Sequence, residues 1–180
     1  MIEVMVDSIR VSLINQQRLV VLRERESLRY LAIWIGAFEA EAITTGLQGT
    51  ESPRPLTHDL LRLVIDQLGG RLRHVVVSEL SDDTYHARIV IARNDAEDVE
   101  VDSRTSDAIA LAARASVPIF VSEAVMEAAG QVPSVEEERT APPRGRAATG
   151  GAEGSDELDV FRNFIEELGL DDSQGGERNP

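Results

Sequence analysis

Short β-rich runs, each broken by a polar or glycine-containing stretch, organise the first 130 residues. Residues 2–6, 9–14, 18–23 and 30–35 read as strands, with Asn15-Gln16-Gln17 and Arg25-Glu26-Ser27 as polar turns, an antiparallel meander. After Gly36 the pattern changes to the Ala-rich stretch Ala37 to Leu47, a helix closed by Gly49. The proline turn Pro53-Arg54-Pro55 precedes a second helix over Leu56 to Leu68, apolar at 56, 60, 61, 63, 64, 65 and 68 and stopped by Gly69-Gly70.

A second β block follows. Leu72 to Glu79 and Thr84 to Ala92 form a hairpin about Ser81-Asp82-Asp83, and Val99 to Val101 is a third short strand. Ser106 to Ala115 is a helix, Pro118 to Val121 a strand, and Glu123 to Ala129 a short helix ended by Gly130. The two blocks share the order strand, strand, strand, helix. Their junctions match weakly, Glu41-Ala42-Ile43 following Ile35 as Asp107-Ala108-Ile109 follows Val101, which suggests a duplication no more strongly than chance likeness.

The pattern therefore predicts an α+β fold of two strand-rich blocks, each followed by helices, on a largely antiparallel sheet. It ends at about residue 130. Residues 131–155 hold three Pro and several Gly without an apolar period and read as a disordered linker. Residues 156–170 read as an amphipathic helix with the stripe Leu158, Phe161, Phe164, Ile165 and Leu168, and 171–180 as a flexible tail.

Composition removes several kinds of chemistry. The 180 residues contain no Cys, and all 18 basic residues are Arg. Thiolate nucleophiles, disulfides, Cys-ligated metals, lysine Schiff bases and lysine phosphate loops are excluded, as is the usual lysine-containing PD-(D/E)xK nuclease motif. The longest uncharged runs, Tyr30 to Phe38 and Ala42 to Thr50, fall far short of the ~20 residues of a membrane-spanning helix. Met1-Ile2-Glu3-Val4 alternates like a strand rather than opening a signal peptide, so a cytoplasmic protein with no membrane partner is expected. Net charge is −14: residues 1–130 carry 20 acids against 13 Arg, and residues 131–180 carry 12 against 5. This balance opposes non-specific binding to polyanions, unless Arg54, Arg62, Arg71, Arg73 and Arg104 gather into a local basic groove.

Two polar clusters carry candidate chemistry. Arg54-Pro55-Leu56-Thr57-His58-Asp59 puts one of three histidines at a helix start beside a hydroxyl and a carboxylate, and histidine is the side chain suited to proton transfer near neutrality. Its plainer reading is Thr57 as N-cap, with Asp59 favoured by the helix dipole. Asp102-Ser103-Arg104-Thr105-Ser106-Asp107 could hold a phosphate at free helix amides and Arg104, or a divalent cation on its carboxylates, yet it too has the composition of a cap. Glu39 and Glu41 lie about 200° apart around their helix, so at most one joins a site. Trp34 reads as core or interface, and His74 and His86 as surface residues, with no pair at zinc-binding spacing.

The blocks Tyr30-Leu31-Ala32-Ile33-Trp34-Ile35-Gly36, Glu39-Ala40, Arg54-Pro55-Leu56-Thr57-His58-Asp59-Leu60, Tyr85-His86-Ala87 and Ser103-Arg104-Thr105-Ser106-Asp107-Ala108-Ile109-Ala110-Leu111-Ala112 together resemble the bifunctional nuclease domain family over roughly residues 2–130. The resemblance implies a compact α+β fold, a homodimer or higher homo-oligomer, and a nuclease activity on RNA and DNA. Val160 to Asp172 is similar to a short helix that follows a linker in some bacterial members. Two positions depart from the family pattern: Thr105 where Pro is usual, beside Asp107, and His86 where an aromatic is common.

Taken with that resemblance, the candidate catalytic residues are His58, Asp59, Asp107 and Glu39, with Arg54, Arg104, Thr57 and Ser106 holding a nucleic-acid substrate. Glu39, Asp102 and Asp107, if they gather, could carry one or two magnesium or manganese ions. The competing reading is a non-catalytic oligomeric binding or regulatory module, in which both clusters are caps and interface residues.

Overall fold

The structure, a computed structural model, describes residues 1–12, 17–50, 52–94 and 96–132. The order of elements is β1 (Ile2–Val11), β2 (Arg18–Glu24), β3 (Tyr30–Ile35), α1 (Ala37–Leu47), α2 (Thr57–Gln67), β4 (Gly70–Ser81), β5 (Thr84–Arg93), β6 (Ala96–Arg104), α3 (Thr105–Ala115), β7 (Ile119–Val121) and α4 (Glu123–Ala129). The expected α+β class is observed, and the helix and strand boundaries from 30 to 129 fall close to their expected places except for β6, which runs over nine residues, Ala96–Arg104, where only Val99 to Val101 is expected. The linker, C-terminal helix and tail expected beyond Val132 lie outside the described residues.

One difference is at the start. The two runs at 2–6 and 9–14 are not separate strands but the single strand β1, whose register against β2 shifts between Val6 and Ser8. A bulge at Asp7 reverses which residues face inward, so the apolar alternation breaks as though at a turn. Asp7 pairs with Arg23 of β2 at 3.2 Å instead of turning the chain.

The seven strands form one sheet in the order β3-β2-β1-β7-β4-β5-β6, antiparallel except where β7 runs parallel to β4. Each block contributes a three-strand meander, and β7 joins their first strands. The β4–β5 hairpin turns on Asp82 and Asp83, both at positive φ (48° and 58°), the geometry that matches strand twist in a two-residue turn. The repeat is real at the level of topology, but its register differs from the sequence match. Counting from the helix starts at Ala37 and Thr105 pairs Glu39 with Asp107, Ala40 with Ala108 and Ile43 with Leu111. The last two pairs are buried in both helices.

A single apolar core runs beneath both meanders, drawing Val20 and Leu22 from β2, Leu31 and Ile33 from β3, Val75 and Val77 from β4, and Ile43, Ile109, Leu111 and Met126 from α1, α3 and α4. Helix α3 is the hub: Ala108 through Ala112 are all within 1% of complete burial. Helix α1 lies against it so closely that a Cβ on Gly46 would stand 3.0 Å from that of Ala113. Helix α2 differs, since only Ile65 is buried and Leu60, Leu61, Val64 and Leu68 remain exposed. At the end of the described chain Gln131 exchanges both backbone hydrogen bonds with Tyr30, each 2.8 Å, one residue past the expected boundary. Among the described residues no helix is long and apolar enough to cross a membrane.

Two aromatic and histidine expectations are corrected. Trp34 is 60% exposed, which removes the core half of its core-or-interface reading and leaves the interface half, because β3 buries Leu31 and Ile33 on its other face. His74 is not a plain surface residue: its ring meets Phe120 of β7 edge-on at 5.3 Å, and burial pushes its pKa down. His86 is exposed as expected.

Candidate active site

Three helix starts converge on the same small region, and each carries an acid at its third position: Glu39 in α1, Asp59 in α2 and Asp107 in α3. An acid there is favoured by the helix dipole whatever else it does. Two of the three, Glu39 and Asp107, also share one guanidinium.

Arg104, the last residue of β6, sits between Glu39 and Asp107. Its Nε and Nη2 donate to the Asp107 carboxylate at 2.6 and 3.1 Å, and its Nη1 donates to Glu39 Oε1 at 3.0 Å. The paired register of the two halves makes this possible: the equivalent acids reach the same guanidinium from either side. Glu39 folds back over Gly36 at the start of α1, where a Cβ would lie 2.1 Å from its Oε2, so the absence of a side chain at 36 clears its path. On the far side of Asp107, His58 Nε2 stands 3.4 Å from Oδ1. Four residues from three separate segments thus form one chain of contacts, Glu39, Arg104, Asp107 and His58.

Burial pushes the Asp107 carboxyl up, but the Arg104 fork and then His58 outweigh it and hold it below the usual carboxylate range. The same contact, first through the Asp107 hydrogen bonds, raises the Arg104 guanidinium further. Asp107 is therefore an acceptor and not a proton donor at neutral pH. Its stabilising contribution is present above the ordinary carboxylate pKa of about 3.9 and is lost as the pH falls through its lowered value. Asp107→Asn is accordingly expected to be less stable than the wild type at pH 7, with the gap closing in urea melts below about pH 4. A gap that stays constant across this range would contradict that role.

A carboxylate facing Nε2 favours the tautomer with its proton there and leaves Nδ1 as the basic nitrogen. At 3.4 Å the contact is at the long end for a hydrogen bond, a spacing that substrate-bound sites commonly tighten. Three of the five guanidinium N–H groups of Arg104 are engaged, and with 67% of its side chain exposed the others can reach a ligand oxygen.

The remaining candidates fall elsewhere. Asp59 accepts from the Leu56 amide at 3.0 Å and pairs with Arg114 at 3.4 Å, so it acts as a helix cap and ion-pair partner instead of joining His58. Thr57 is the exposed first residue of α2, and Leu56, not Thr57, is the N-cap. Arg54 is exposed on the preceding turn, and Ser106 lies half-buried in the first turn of α3 beside the cluster. Asp102 stands across from Arg88 in the β5–β6 ladder and does not meet Glu39 or Asp107. Among the described residues no three of His, Asp and Glu stand together as metal ligands, and the space between Glu39 and Asp107 is filled by a guanidinium. The residues as arranged do not fit a metal. Nor does an Arg groove of the five suggested residues form freely, since Arg73 is taken up by Asp98 and Arg104 by two acids.

Thr105, where proline is usual in the family pattern, is buried, and its hydroxyl donates to the Tyr85 carbonyl at 2.9 Å. Proline would fix the first helical position through φ, whereas threonine fixes it through a bond to β5. The junction beside Asp107 is thus held by a different means.

Comparison with known proteins fits this geometry. The bifunctional nuclease domain profile matches residues 20–134, a span that contains all four clustered residues. The chain belongs to the bifunctional nuclease domain family. It is 41% identical over 171 residues, 94% of this chain and 96% of the other, to an uncharacterized protein of Mycobacterium tuberculosis. It is also 29% identical over 85 residues to bifunctional nuclease 1 of Oryza sativa and to a bifunctional nuclease of Oryza minuta, covering 46% of this chain and 26% of those proteins.

Proposed function

We propose that the protein is a nuclease that hydrolyses phosphodiester bonds of RNA or DNA with little sequence specificity, acting in the cytoplasm. The observation that carries this reading is the His58–Asp107–Arg104–Glu39 chain, assembled from three separate segments in a family with plant relatives named as nucleases. Phosphodiester hydrolysis needs a base for the attacking water and positive charge on the phosphoryl oxygens. His58 is the base, Asp107 orients its ring, and the unengaged N–H groups of Arg104 meet the phosphate. Glu39 holds Arg104 from the other side, and Ser106 and Arg54 line the approach. A carboxylate–imidazole pair next to a held guanidinium suits this chemistry better than it suits a helix cap, which needs neither the histidine nor the arginine.

Two copies of the chain associate through α2 in this reading, because Leu60, Leu61, Val64 and Leu68 leave a stripe of apolar surface along it. The competing reading, a non-catalytic binding module, is favoured by one observation: both carboxylates of the cluster are already neutralising Arg104, in a region whose net charge is −7.

The test is incubation of the purified chain with single-stranded RNA and DNA, with mass in solution measured alongside. Slow, non-specific cleavage by a dimer is expected. Loss of cleavage on chelation, restored by magnesium or manganese, would assign Glu39 and Asp107 to a divalent ion with Arg104 displaced. Cleavage that survives chelation would leave the work to His58 and Arg104. Preparations inert across both titrations would favour the binding module.

A further inference from the structure

A second polar feature lies along the same α2–α3 contact, seven residues further down α3 and so about 10 Å from Asp107. It is a cavity of 410 Å³ between the ends of α1 and α3 and the first turns of α2, a volume within the range that holds small-molecule ligands. Two arginines line it. Arg114 is 9% exposed and donates to the Thr50 carbonyl at 3.1 Å while facing Asp59 at 3.4 Å. Arg62 has its Nε buried with no hydrogen-bond partner. A buried N–H without an acceptor is unfavourable, which leaves Arg62 short of a partner beside this cavity.

The rest of the lining fits an anion joined to an apolar group. Ser52 and Ser116 supply hydroxyls, the latter held in the left-handed region at φ 53° as it closes α3. Leu63 and Pro55 supply an apolar wall. Among the described lining residues Asp59 is the one acid, and Arg114 together with the Leu56 amide satisfies it.

We propose that this cavity is a phosphate subsite that takes the terminal phosphate of a nucleotide, with Arg62 and Arg114 on the phosphoryl oxygens and the sugar and base against Leu63 and Pro55. A phosphate dianion accepts from paired guanidinium groups, whose planar forks suit its geometry. The proposal deepens the nuclease reading, on which it rests for the nucleoside part of the ligand. His58 and Asp59 are adjacent, so one turn of α2 sends a side chain to each place: the acid–base cluster at one end of α3 and the phosphate cavity at the other.

The full chain is titrated calorimetrically with adenosine 5′-monophosphate, adenosine and inorganic phosphate, as wild type, Arg62→Gln and His58→Ala. The monophosphate is expected to bind, inorganic phosphate more weakly and adenosine not at all. Arg62→Gln should weaken the monophosphate at least 10-fold with an unchanged melt, and His58→Ala should leave its affinity intact. A 5′-phosphorylated dinucleotide separates the two sources of the group: affinity equal to that of the monophosphate assigns a strand end, and weaker affinity assigns a free mononucleotide. No binding of the monophosphate, or equal binding by the folded Arg62→Gln variant, overturns the proposal. Because the readout is binding, a chain that takes the monophosphate through Arg62 yet cleaves nothing would defeat the nuclease reading alone. A chain that cleaves RNA but ignores the monophosphate would defeat the subsite alone.

Discussion

His58→Ala is expected to lower the rate of RNA or DNA cleavage by about 10²–10⁴-fold, the usual share of a positioned general base, while the fold survives. The separation of the two effects follows from what His58 touches. Its contact with Asp107 is the long end of that carboxylate's hydrogen bonding, and Arg104 retains its shorter bonds to both Asp107 oxygens when the ring is gone. No buried charge is left without a partner, so the structural cost should stay at about 1 kcal/mol for a ring that is 16% exposed. If the ring were only a packing group over the start of α3, the outcome would be reversed, with cleavage retained and the melting temperature lowered. Cleavage rates from equal amounts of folded protein, compared with urea melts of the same samples, distinguish the two.

Leu111→Ala is expected to destabilise the protein by about 2–5 kcal/mol, the cost of an unfilled cavity where a leucine was fully buried. Leu111 is completely buried in α3, the helix that carries Asp107 at one end and Arg114 at the other. Its counterpart in the first half is Ile43 of α1, equally buried. The two helices meet over the core with Gly46 against Ala113, a fit with no spare volume to close around a void. A drop in melting temperature on the order of 10 °C should accompany the change. A cost below about 1 kcal/mol would mean that α3 is not the hub of the core. Because α3 positions both the cluster and the cavity, ligand binding should weaken in the same variant wherever the helix has shifted.

The elements were legible where periodicity and punctuation agreed. Helix α2 declares itself by Pro55 before it and Gly69-Gly70 after it, and the β4–β5 hairpin by paired aspartates that tolerate positive φ. Strand β1 reads as two in the sequence because a bulge reverses the inward face at Asp7, and alternation alone cannot tell a bulge from a turn. The duplicated topology was glimpsed in the wrong register. Matching Glu41-Ala42-Ile43 to Asp107-Ala108-Ile109 follows residue identity, whereas the helices superpose by their starts and their buried faces, which pairs Glu39 with Asp107.

The site was legible by residue type and illegible by grouping. His58, Asp107, Arg104 and Glu39 were each marked by position at a junction, but their meeting depends on α1 lying against α3 and on the central strand β7, neither of which a spacing records. Asp59 adjoins His58 in sequence, yet neighbours at a helix start point to different places, and it goes to Arg114. Asp102 lies close to Asp107 in sequence, but it is still in the β6 ladder opposite Arg88. The cavity was missed altogether. One signal is present: Arg114 lies three residues after Leu111 in a stretch that is otherwise apolar from Ala108 to Ala115, and a charge there asks for a buried partner.

The central claim is that the four-residue chain works as a unit, and a double-mutant cycle on His58 and Asp107 tests it most directly. Cleavage rates of the wild type, His58→Ala, Asp107→Asn and the double variant are compared under one set of conditions. If Asp107 acts through the imidazole, the double variant should be no slower than the slower single variant, the non-additivity expected of residues that share one step. Losses that simply multiply, or single variants that cleave at the wild-type rate, would contradict the account.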